Sequence, residues 1–361
     1  MESTLIMDTV TSIDCGVITV EGALVGHSFN PTLFVTGGVT EDEGVVCDFG
    51  TLKKRVKAEI DDRDTGIDHK IWVPCNKNVH FEEDSETPGN VVLVTPLLCL
   101  KAPRDAFVLI RPSFSRFSPV GHSLLLNSYT FQYDESKALE IQDDEGRTNL
   151  FAIPSLFASV VSSLLTKRLP EFKFVIGLRN EPYDFRDPIF LGGKVLYPGK
   201  ASLFRYTHGL PNSSSWGCQN IGHGHMSFVQ CFGENDTPLL TSCSWQLAMT
   251  LNGSYFCNTN DVSKEESADD TPPAISYTTG RGTFGLKFLH NAKMASFPED
   301  TTVENLAYRI VSANVQHLKE NGVAAVYISE GLNKGCFVWV DSVTPAVTEP
   351  ESSPEATQGA A

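Results

Sequence analysis

The sequence predicts an α+β protein composed of two tandem units, each carrying an insertion. Its 361 residues suit two domains better than one. Each half also ends in the same pattern, an amphipathic helix followed by a strand that runs into a glutamate, Glu181 in the first half and Glu330 in the second. We therefore interpret the chain as an internal duplication, with units at 1–187 and 188–341 and a disordered tail at 342–361.

The first half opens with two predicted strands, at 13–20 and 28–36, and then a helix. The helix is indicated by apolar residues that recur every three or four positions: Phe49, Leu52, Val56 and Ile60. Asp48 stands where a carboxylate is favoured at a helix start, so capping is its simplest role.

The region at about 75–150 is predicted to be an insertion of unassigned fold. It contains three apolar runs that favour strands, at 91–95, 106–110 and 123–126. Helical spacing returns at Pro154, which suits a first helical position, and a strand at 172–178 follows the helix.

The second half closes with a helix that has a marked beginning. Thr301 and Glu304 have the spacing of a capping box, and a glycine ends the helix before a strand at 323–328. A second insertion is predicted at about 232–298. It includes an acidic segment at 264–273 that we expect to be a mobile surface loop.

Three of the nine histidines fall close together in the second half. His223 and His225, two positions apart, project to the same face of an extended strand, and His208 from a neighbouring strand would complete a set of three imidazoles. Such a set leaves a coordination position open, as catalytic zinc sites do. The pattern predicts zinc on these histidines with Cys218 beside them; the alternative is a polar loop without a metal.

Asp68 and His69 directly follow the charged end of the first predicted helix. A carboxylate beside an imidazole sets its tautomer and its pKa, so the pair is able to serve as a proton relay. An exposed loop is the alternative interpretation.

Charge, apolar run length and cysteine distribution indicate which partners and which cell compartment the protein suits. The net charge of −16 argues against a nucleic acid or an anionic membrane, since either needs a basic surface. No stretch approaches the roughly eighteen apolar residues of a spanning helix, and the first residues show no leader pattern. Nine scattered cysteines indicate reduced thiols. We expect a soluble, cytoplasmic protein.

Short blocks of the sequence resemble a known family and follow its order. In the first half these blocks are Gly26-His27-Ser28-Phe29, the helix start at Asp48-Phe49, and Ile67-Asp68-His69. In the second half they are Phe204 to His208, Cys218 ahead of Gly222-His223-Gly224-His225, and Ser329-Glu330. Together they resemble 6-pyruvoyl-tetrahydropterin synthase and its relative 6-carboxy-tetrahydropterin synthase.

The resemblance implies a T-fold in each half, which is an antiparallel four-stranded sheet with helices on one face, and homo-oligomers formed through sheet edges. It implies three zinc-binding histidines, Cys218 as general base and Asp68-His69 as relay. It also implies that Glu330 and Glu181 anchor the ring of a pterin triphosphate, because a carboxylate accepts two parallel hydrogen bonds from an amino-pyrimidinone edge. An ordinary strand-end charge is the alternative for each glutamate.

The matching parts are divided unequally between the halves. The first half retains His27 but has Val25 where the second half has His223, so we expect no catalytic zinc there. The second half in turn lacks an Asp-His pair. We therefore hypothesise one composite site, with zinc and Cys218 from the second half and Asp68-His69 from the first, formed across the internal interface or between chains.

This site predicts a zinc-dependent lyase that acts on dihydroneopterin triphosphate, by triphosphate elimination or by side-chain cleavage, on the way to a tetrahydropterin or to a deazaguanine nucleoside. Arg205, Arg281 and Lys287 are candidates for binding the triphosphate. One alternative is a catalytically inactive tandem T-fold that serves as a binding or scaffold protein, which the bulky Tyr206 favours. The other is a zinc hydrolase on an unrelated fold, with Cys218 as nucleophile.

Overall fold

The computed structural model describes seven segments of the chain: residues 2–42, 44–74, 78–112, 128–131, 154–179, 184–263 and 274–344. Four predicted features lie outside these described residues: Glu181, the strand at 123–126, the acidic segment at 264–273 and positions 345–361 of the tail.

The first half forms a seven-stranded sheet. Its strands are β1 (Glu2–Met7), β2 (Ile13–Ile18), β3 (Leu24–Gly38), β4 (Ile71–Pro74), β8 (Phe107–Pro112), β9 (Ser128–Phe131) and β10 (Lys173–Arg179). The order is β1-β3-β2-β4-β8-β9, with β10 also paired to β3. The long strand β3 organises this sheet, because its first part pairs with β2 and its later part lies between β1 and β10.

Two helices cover this sheet, α1 (Phe49–Ile60) and α2 (Pro154–Arg168). The Asp48 side chain accepts a hydrogen bond of 2.7 Å from the backbone N–H of Thr51, so its predicted capping role is present in the structure. Leu52 and Val56 are buried in the core between helices and sheet, as the helical spacing predicts.

The second half forms an eight-stranded sheet. Its strands are β11 (Ile189–Leu191), β12 (Lys194–Pro198), β13 (Ser202–His208), β14 (His223–Gly233), β15 (Ser254–Asn258), β18 (Met294–Phe297), β19 (Val323–Glu330) and β20 (Lys334–Trp339). Four of them, in the order β13-β14-β19-β20, are antiparallel to one another. Its helices are α3 (Pro238–Leu251) and α4 (Val303–Glu320).

The same pairing pattern recurs in the two sheets. β2, β3 and β10 form an antiparallel set in the first half, as β13, β14 and β19 do in the second. β4 lies parallel to β2 and β8 parallel to β4, just as β15 lies parallel to β13 and β18 parallel to β15. Both sheets are therefore mixed and larger than the predicted four antiparallel strands, and their common topology supports the duplication.

A third sheet joins the two halves. Its strands are β5 (His80–Glu83), β6 (Asn90–Val94), β7 (Leu98–Pro103), β16 (Ala274–Thr279) and β17 (Gly282–Phe288). β17 of the second half pairs with β7 of the first, so the two insertions share one sheet and one core.

Parts of both predicted insertions belong to the main sheets and helices. The segment 232–298 contains α3, β15 and β18, and the segment 75–150 contains β8 and β9; all five belong to the sheets and helices of their own units. The helix α3 was not predicted from the sequence. Apolar residues, including Trp245 and Met249, also occupy its exposed face, so its apolar residues do not recur with a helical period.

The ends of α4 also differ from expectation. Its N-cap is Thr302, whose side chain accepts from the N–H of Asn305 at 3.4 Å, so the capping position lies one residue after the predicted Thr301. Val343 is buried and Ser312 donates a hydrogen bond of 2.7 Å to the carbonyl of Thr344. The packed chain thus extends past residue 341, into the predicted tail.

The two large sheets approach each other through glycines. A Cβ atom at Gly26 of β3 would lie 2.0 Å from the carbonyl oxygen of Tyr206, and one at Gly16 of β2 would lie 1.8 Å from that of Gly222. A Cβ at Gly224 would meet the Cα of Gly26 at 2.7 Å. Since real Cβ atoms do not approach backbone so closely, this crossing of β2 and β3 with β13 and β14 requires glycine.

Among the helices that the structure describes, none combines the length and the apolar content needed to cross a membrane.

Replacing Gly26 with Ala is expected to lower the free energy of unfolding by about 3 kcal/mol, because the added methyl group overpacks a backbone contact. Gly177→Ala on β10 is the control, since its Cβ would lie 3.8 Å from the nearest atoms. In the Gly177→Ala variant the free energy of unfolding should stay the same or rise by up to about 1 kcal/mol. Urea unfolding measures both, and equal stabilities for the two variants would contradict the close crossing.

Candidate metal and acid–base site

Three buried histidines meet where β13 and β14 pair. His208 ends β13 and lies directly opposite His223, the first residue of β14, while His225 follows two positions later on the same face. All three side chains are fully buried. The strand period thus brings together the three residues that the sequence predicts as metal ligands.

An oxygen atom lies close to Nδ1 of each imidazole. Nδ1 of His208 is 3.0 Å from the carbonyl oxygen of Thr301, and Nδ1 of His223 is 3.0 Å from the carbonyl oxygen of Asn220. Because carbonyl oxygens only accept, these two hydrogen bonds assign the protons of His208 and His223 to Nδ1 and leave Nε2 with a free lone pair. Nδ1 of His225 has no hydrogen-bond partner in the described part of the chain, but it lies 3.3 Å from Oδ1 of Asp14, a residue of the first half, whose negative charge favours the proton there.

The free nitrogens converge. Nε2 of His208 and Nε2 of His225 are 3.1 Å apart, and one candidate ligand atom from each of the three rings lies within 4.8 Å of the others. Nε2 of His223 is buried without a hydrogen-bond partner in the described part of the chain. Tetrahedral zinc with its usual bonds to nitrogen places ligand atoms about 3.3 Å apart, so the set fits that ion.

Burial also keeps two of these rings neutral. It lowers the pKa of His208 to about 3, helped by the nearby His225, and it lowers the pKa of His223 well below its usual value. Neutral imidazole is the form that binds a metal.

Cys218 and His69 stand next to this set. Cys218 lies in a short 3-10 turn, Gly217–Gln219, and ligand atoms of His69, Cys218 and His223 lie within 4.8 Å of one another. Nδ1 of His69 is 2.6 Å from Oδ2 of Asp68, whose Oδ1 accepts a hydrogen bond of 2.8 Å from the N–H of Asp14. One chain therefore brings together the acid–base pair of its first half and the thiol and imidazoles of its second.

The thiol and the relay histidine influence each other's charge. Burial by itself would raise the pKa of Cys218, but the hydrogen bond and the charge of His69 outweigh it and the pKa is lowered. Burial by itself would lower the pKa of His69, but the Asp68 carboxylate raises it well above its usual value, and the hydrogen bond with Cys218 adds to the increase. The arrangement favours a thiolate beside an imidazolium.

His69 is held in an uncommon backbone conformation, with φ of 55°. Its N–H donates to the carbonyl of Asp14 at 2.7 Å, and its own carbonyl accepts from Nδ2 of Asn220 at 3.1 Å. A Cβ at Gly217 would lie 2.6 Å from the Cβ of His69, so the turn that carries the thiol packs directly on the relay.

Glu330 ends β19 at the edge of the same site. Its Oε1 lies 4.0 Å from Nε2 of His225, and its Oε2 forms an ion pair of 2.7 Å with Nζ of Lys334. Burial would raise the pKa of Glu330, but the neighbouring His225 and the positive charge of Lys334 outweigh burial and lower it. The following Gly331 has φ of 68°, and a Cβ there would meet Oδ1 of Asp14 at 2.5 Å.

The three predicted triphosphate ligands lie in different places. Arg281 lines a cavity beside Asp68 and His69. It is buried, with Nε 3.3 Å from a carboxylate oxygen of Asp105 and a hydrogen bond of 3.2 Å to the carbonyl of Trp216. Arg205 donates to the carbonyl of Gly26 at 3.0 Å, and Lys287 lies opposite Cys99 in the third sheet.

Other cations do lie close to the relay. A cavity of about 280 Å³ borders Asp68 and His69. Four cations line it, Lys57, Arg63, Lys70 and Arg281, together with two acidic residues that follow α1, Asp61 and Asp62.

Sequence reasoning missed the residues that orient the histidines. Asp14, Thr301 and Asn220 all act through contacts that only the folded chain creates. Asp14 did carry a signal, since it is a single carboxylate in an otherwise apolar strand. Thr301 was assigned to helix capping, and Asn220 resembled an ordinary loop residue.

Comparison with known proteins adds three distant structures. No family model matches the chain, and no curated protein does. A catalytic-residue mutant of 6-pyruvoyltetrahydropterin synthase from Plasmodium vivax is 14% identical over 50% of this chain and 99% of its own, with a TM-score of 0.30. The Plasmodium falciparum enzyme is 18% identical over 49% and 99%, with a TM-score of 0.25. An uncharacterized protein from Wolinella succinogenes is 11% identical over 40% and 98%, with a TM-score of 0.27. The interpretation of fold and site therefore rests on the strand pairing and side-chain geometry of this chain.

The pKa of Cys218 is expected to depend on His69. In metal-free protein, alkylation of Cys218 should show a pH midpoint below the usual thiol value of about 8.5. His69→Asn should raise that midpoint, because burial then acts without a compensating positive charge; asparagine also tolerates the positive φ. Peptide mass spectrometry follows the reaction, with the half-buried Cys47 as internal control. A midpoint for Cys218 that stays unchanged in the variant would contradict the pairing.

Proposed function

We propose that this protein is a zinc-dependent lyase of the pterin synthase type, acting on dihydroneopterin triphosphate at one composite site per chain. The observation that carries the proposal is the convergence of three buried imidazole nitrogens beside Cys218 and the Asp68-His69 pair. Neither half contains all of these groups, and the crossing of the two sheets brings them within reach of one substrate.

The metal would be held by His208, His223 and His225. Their Nδ1 contacts fix the rings, leaving three protein ligands and an open position, which is the donor set of catalytic zinc. When bound, zinc supplies Lewis acidity that polarises a substrate hydroxyl or carbonyl oxygen.

The residues of the chain itself handle the protons. Cys218 as thiolate accepts a proton from a hydroxyl-bearing carbon of the substrate side chain. The C–H electron pair forms a carbon–carbon double bond and the C–O bond to triphosphate breaks, so that triphosphate leaves as an anion and an enol remains. His69 in its protonated form then gives a proton to the enol carbon while the enol hydroxyl loses its proton to water, which yields a ketone, and Asp68 holds the ring of His69 in place. In the second variant of the reaction the same groups serve cleavage of a carbon–carbon bond.

Glu330 would bind the ring of the substrate. Its carboxylate is partly buried at the edge of the histidine set and its pKa is lowered, so it is able to accept hydrogen bonds from an amino-pyrimidinone edge. Lys334 occupies one oxygen in the free protein, and the ring would share or replace that contact. Glu181 remains part of the proposal as the corresponding residue of the first half.

The triphosphate needs positive partners. Lys57, Arg63, Lys70 and Arg281 line the cavity beside His69, so we propose this cavity as the path of the phosphate groups. Of the three cations that the sequence indicated, the proposal keeps Arg281. We also propose that copies associate through sheet edges, since β20 pairs only with β19 among the described strands.

Zinc content tests the metal centre. Purified wild-type protein is expected to hold one zinc per chain, and His223→Ala should lose it because only two of the three imidazoles remain. His290→Ala, at an exposed position beyond β17, is the matched control and should keep its metal. Elemental analysis after dialysis gives the ratio. Wild-type protein that holds no zinc, or a His223 variant that keeps it, would refute the centre.

Turnover tests the chemistry. Incubation of zinc-loaded protein with dihydroneopterin triphosphate should release triphosphate and yield a pterin product identified by mass. The His69→Asn variant should retain zinc, but its turnover rate should fall by about 100-fold or more, the usual contribution of a general acid or base. Binding of the pterin without any conversion by the zinc-loaded wild type would favour the inactive binding protein instead.

A further inference from the structure

Asp14 and Arg205 occupy equivalent positions in the two halves. On β2, Asp14 lies opposite Ser28, and the next residue of β2 lies opposite His27. On β13, Arg205 lies opposite Met226, and the next residue of β13 lies opposite His225. His27 and His225 are therefore equivalent. Their cross-strand partners are Cys15 and Tyr206, and the residues that precede these partners, Asp14 and Arg205, are equivalent as well.

Each of these two residues contacts the histidine of the other half. Oδ1 of Asp14 lies 3.3 Å from Nδ1 of His225. Nη1 of Arg205 lies 2.9 Å from Nδ1 of His27. The two contacts are reciprocal across the crossing of the sheets, but one residue is an acid and the other a base.

The two contacts favour opposite tautomers of the histidines. The negative charge of the Asp14 carboxylate, 3.3 Å from Nδ1 of His225, favours the proton on that nitrogen, which presents a free Nε2 to the other two imidazoles. A guanidinium only donates, so Nδ1 of His27 is the acceptor and the proton of that ring is on Nε2. Nε2 of His27 is therefore blocked as a ligand.

We propose that this reciprocal pair assigns the metal to one half of the protein: Asp14 is a positioning residue for the metal ligand His225, and Arg205 sets His27 in the tautomer that does not bind. The inference rests on the proposed metal centre. Valine stands at the two other ligand positions of the first half, Val17 opposite Val25, so His27 is the last ligand left there.

Two neighbouring residues, Ser28 and Gly331, fix the position of the Asp14 carboxylate. Ser28 donates a hydrogen bond of 2.5 Å to Oδ1 of Asp14, and Gly331 leaves room for that oxygen. Arg205 is fixed in the same way, since its Nη1 also donates to the carbonyl of Gly26 at 3.0 Å.

The tautomers are measurable directly in the wild-type protein. Nitrogen-15 spectra of histidine-labelled, metal-free protein should show His225 protonated on Nδ1 and His27 protonated on Nε2, with single-histidine variants giving the assignment. The opposite tautomer at either ring would overturn the inference. This measurement requires no substituted acid or base, so it stands even if a variant at position 14 fails to fold.

Metal affinity provides the second test. Asp14→Asn keeps the shape of the side chain but brings an N–H₂ group toward His225. Zinc affinity should therefore fall about 10- to 100-fold, the usual effect of losing a residue that orients a metal ligand. Arg205→Gln, the equivalent position in the other half, should leave zinc affinity unchanged and release Nδ1 of His27. Chelator competition gives the affinities, and circular dichroism confirms that both variants are folded.

Wild-type affinity in folded Asp14→Asn protein, or equal losses in the two variants, would overturn the inference. Neither measurement uses a pterin. A protein that binds zinc as described but does not convert dihydroneopterin triphosphate would therefore refute the proposed reaction and leave this assignment intact.

Discussion

The backbone contact between the two large sheets is the constraint on which the candidate site depends. Gly26 and Gly224 allow β3 and β14 to cross at a distance that no side chain would permit. Because the strands approach so closely, Asp14 of the first half reaches His225 of the second, and Arg205 of the second half reaches His27 of the first. A wider interface filled by larger residues would separate the relay from the thiol and leave two incomplete sites.

Asp14 joins the two sets of functional groups at this crossing. Its carboxylate faces His225, its N–H donates to Asp68, and its carbonyl accepts from His69. The position of the relay relative to the histidines is thus set by one residue whose backbone and side chain are both engaged. Such a buried polar residue is stable only when each of its groups has a partner, and here all three do.

Local sequence patterns were sufficient to predict several elements of the fold and the grouping of two histidines. Helical spacing located α1, and the alternation of β14 indicated that His223 and His225 share a face. The third sheet was not predictable, because β17 and β7 pair across most of the chain length. The same holds for Thr301, whose contact with His208 depends on where α4 begins. Sequence motifs report the ligands of a site, whereas the residues that orient them are recognised only from tertiary contacts.

The opposite charges at positions 14 and 205 are consistent with a duplication in which one half alone keeps the proposed metal ligands. A carboxylate at position 205 would face His27 in a half where valines stand at the other two proposed ligand positions, so no metal ion would be held there to compensate a buried negative charge. A guanidinium there is satisfied by the carbonyl of Gly26 and the ring of His27. At position 14 a carboxylate is favourable. Its negative charge stabilises the Nδ1 proton of His225 and would also stabilise a cation bound to the other nitrogen of that ring. Loss of ligands in one half and the arginine in the other are therefore parts of one electrostatic arrangement.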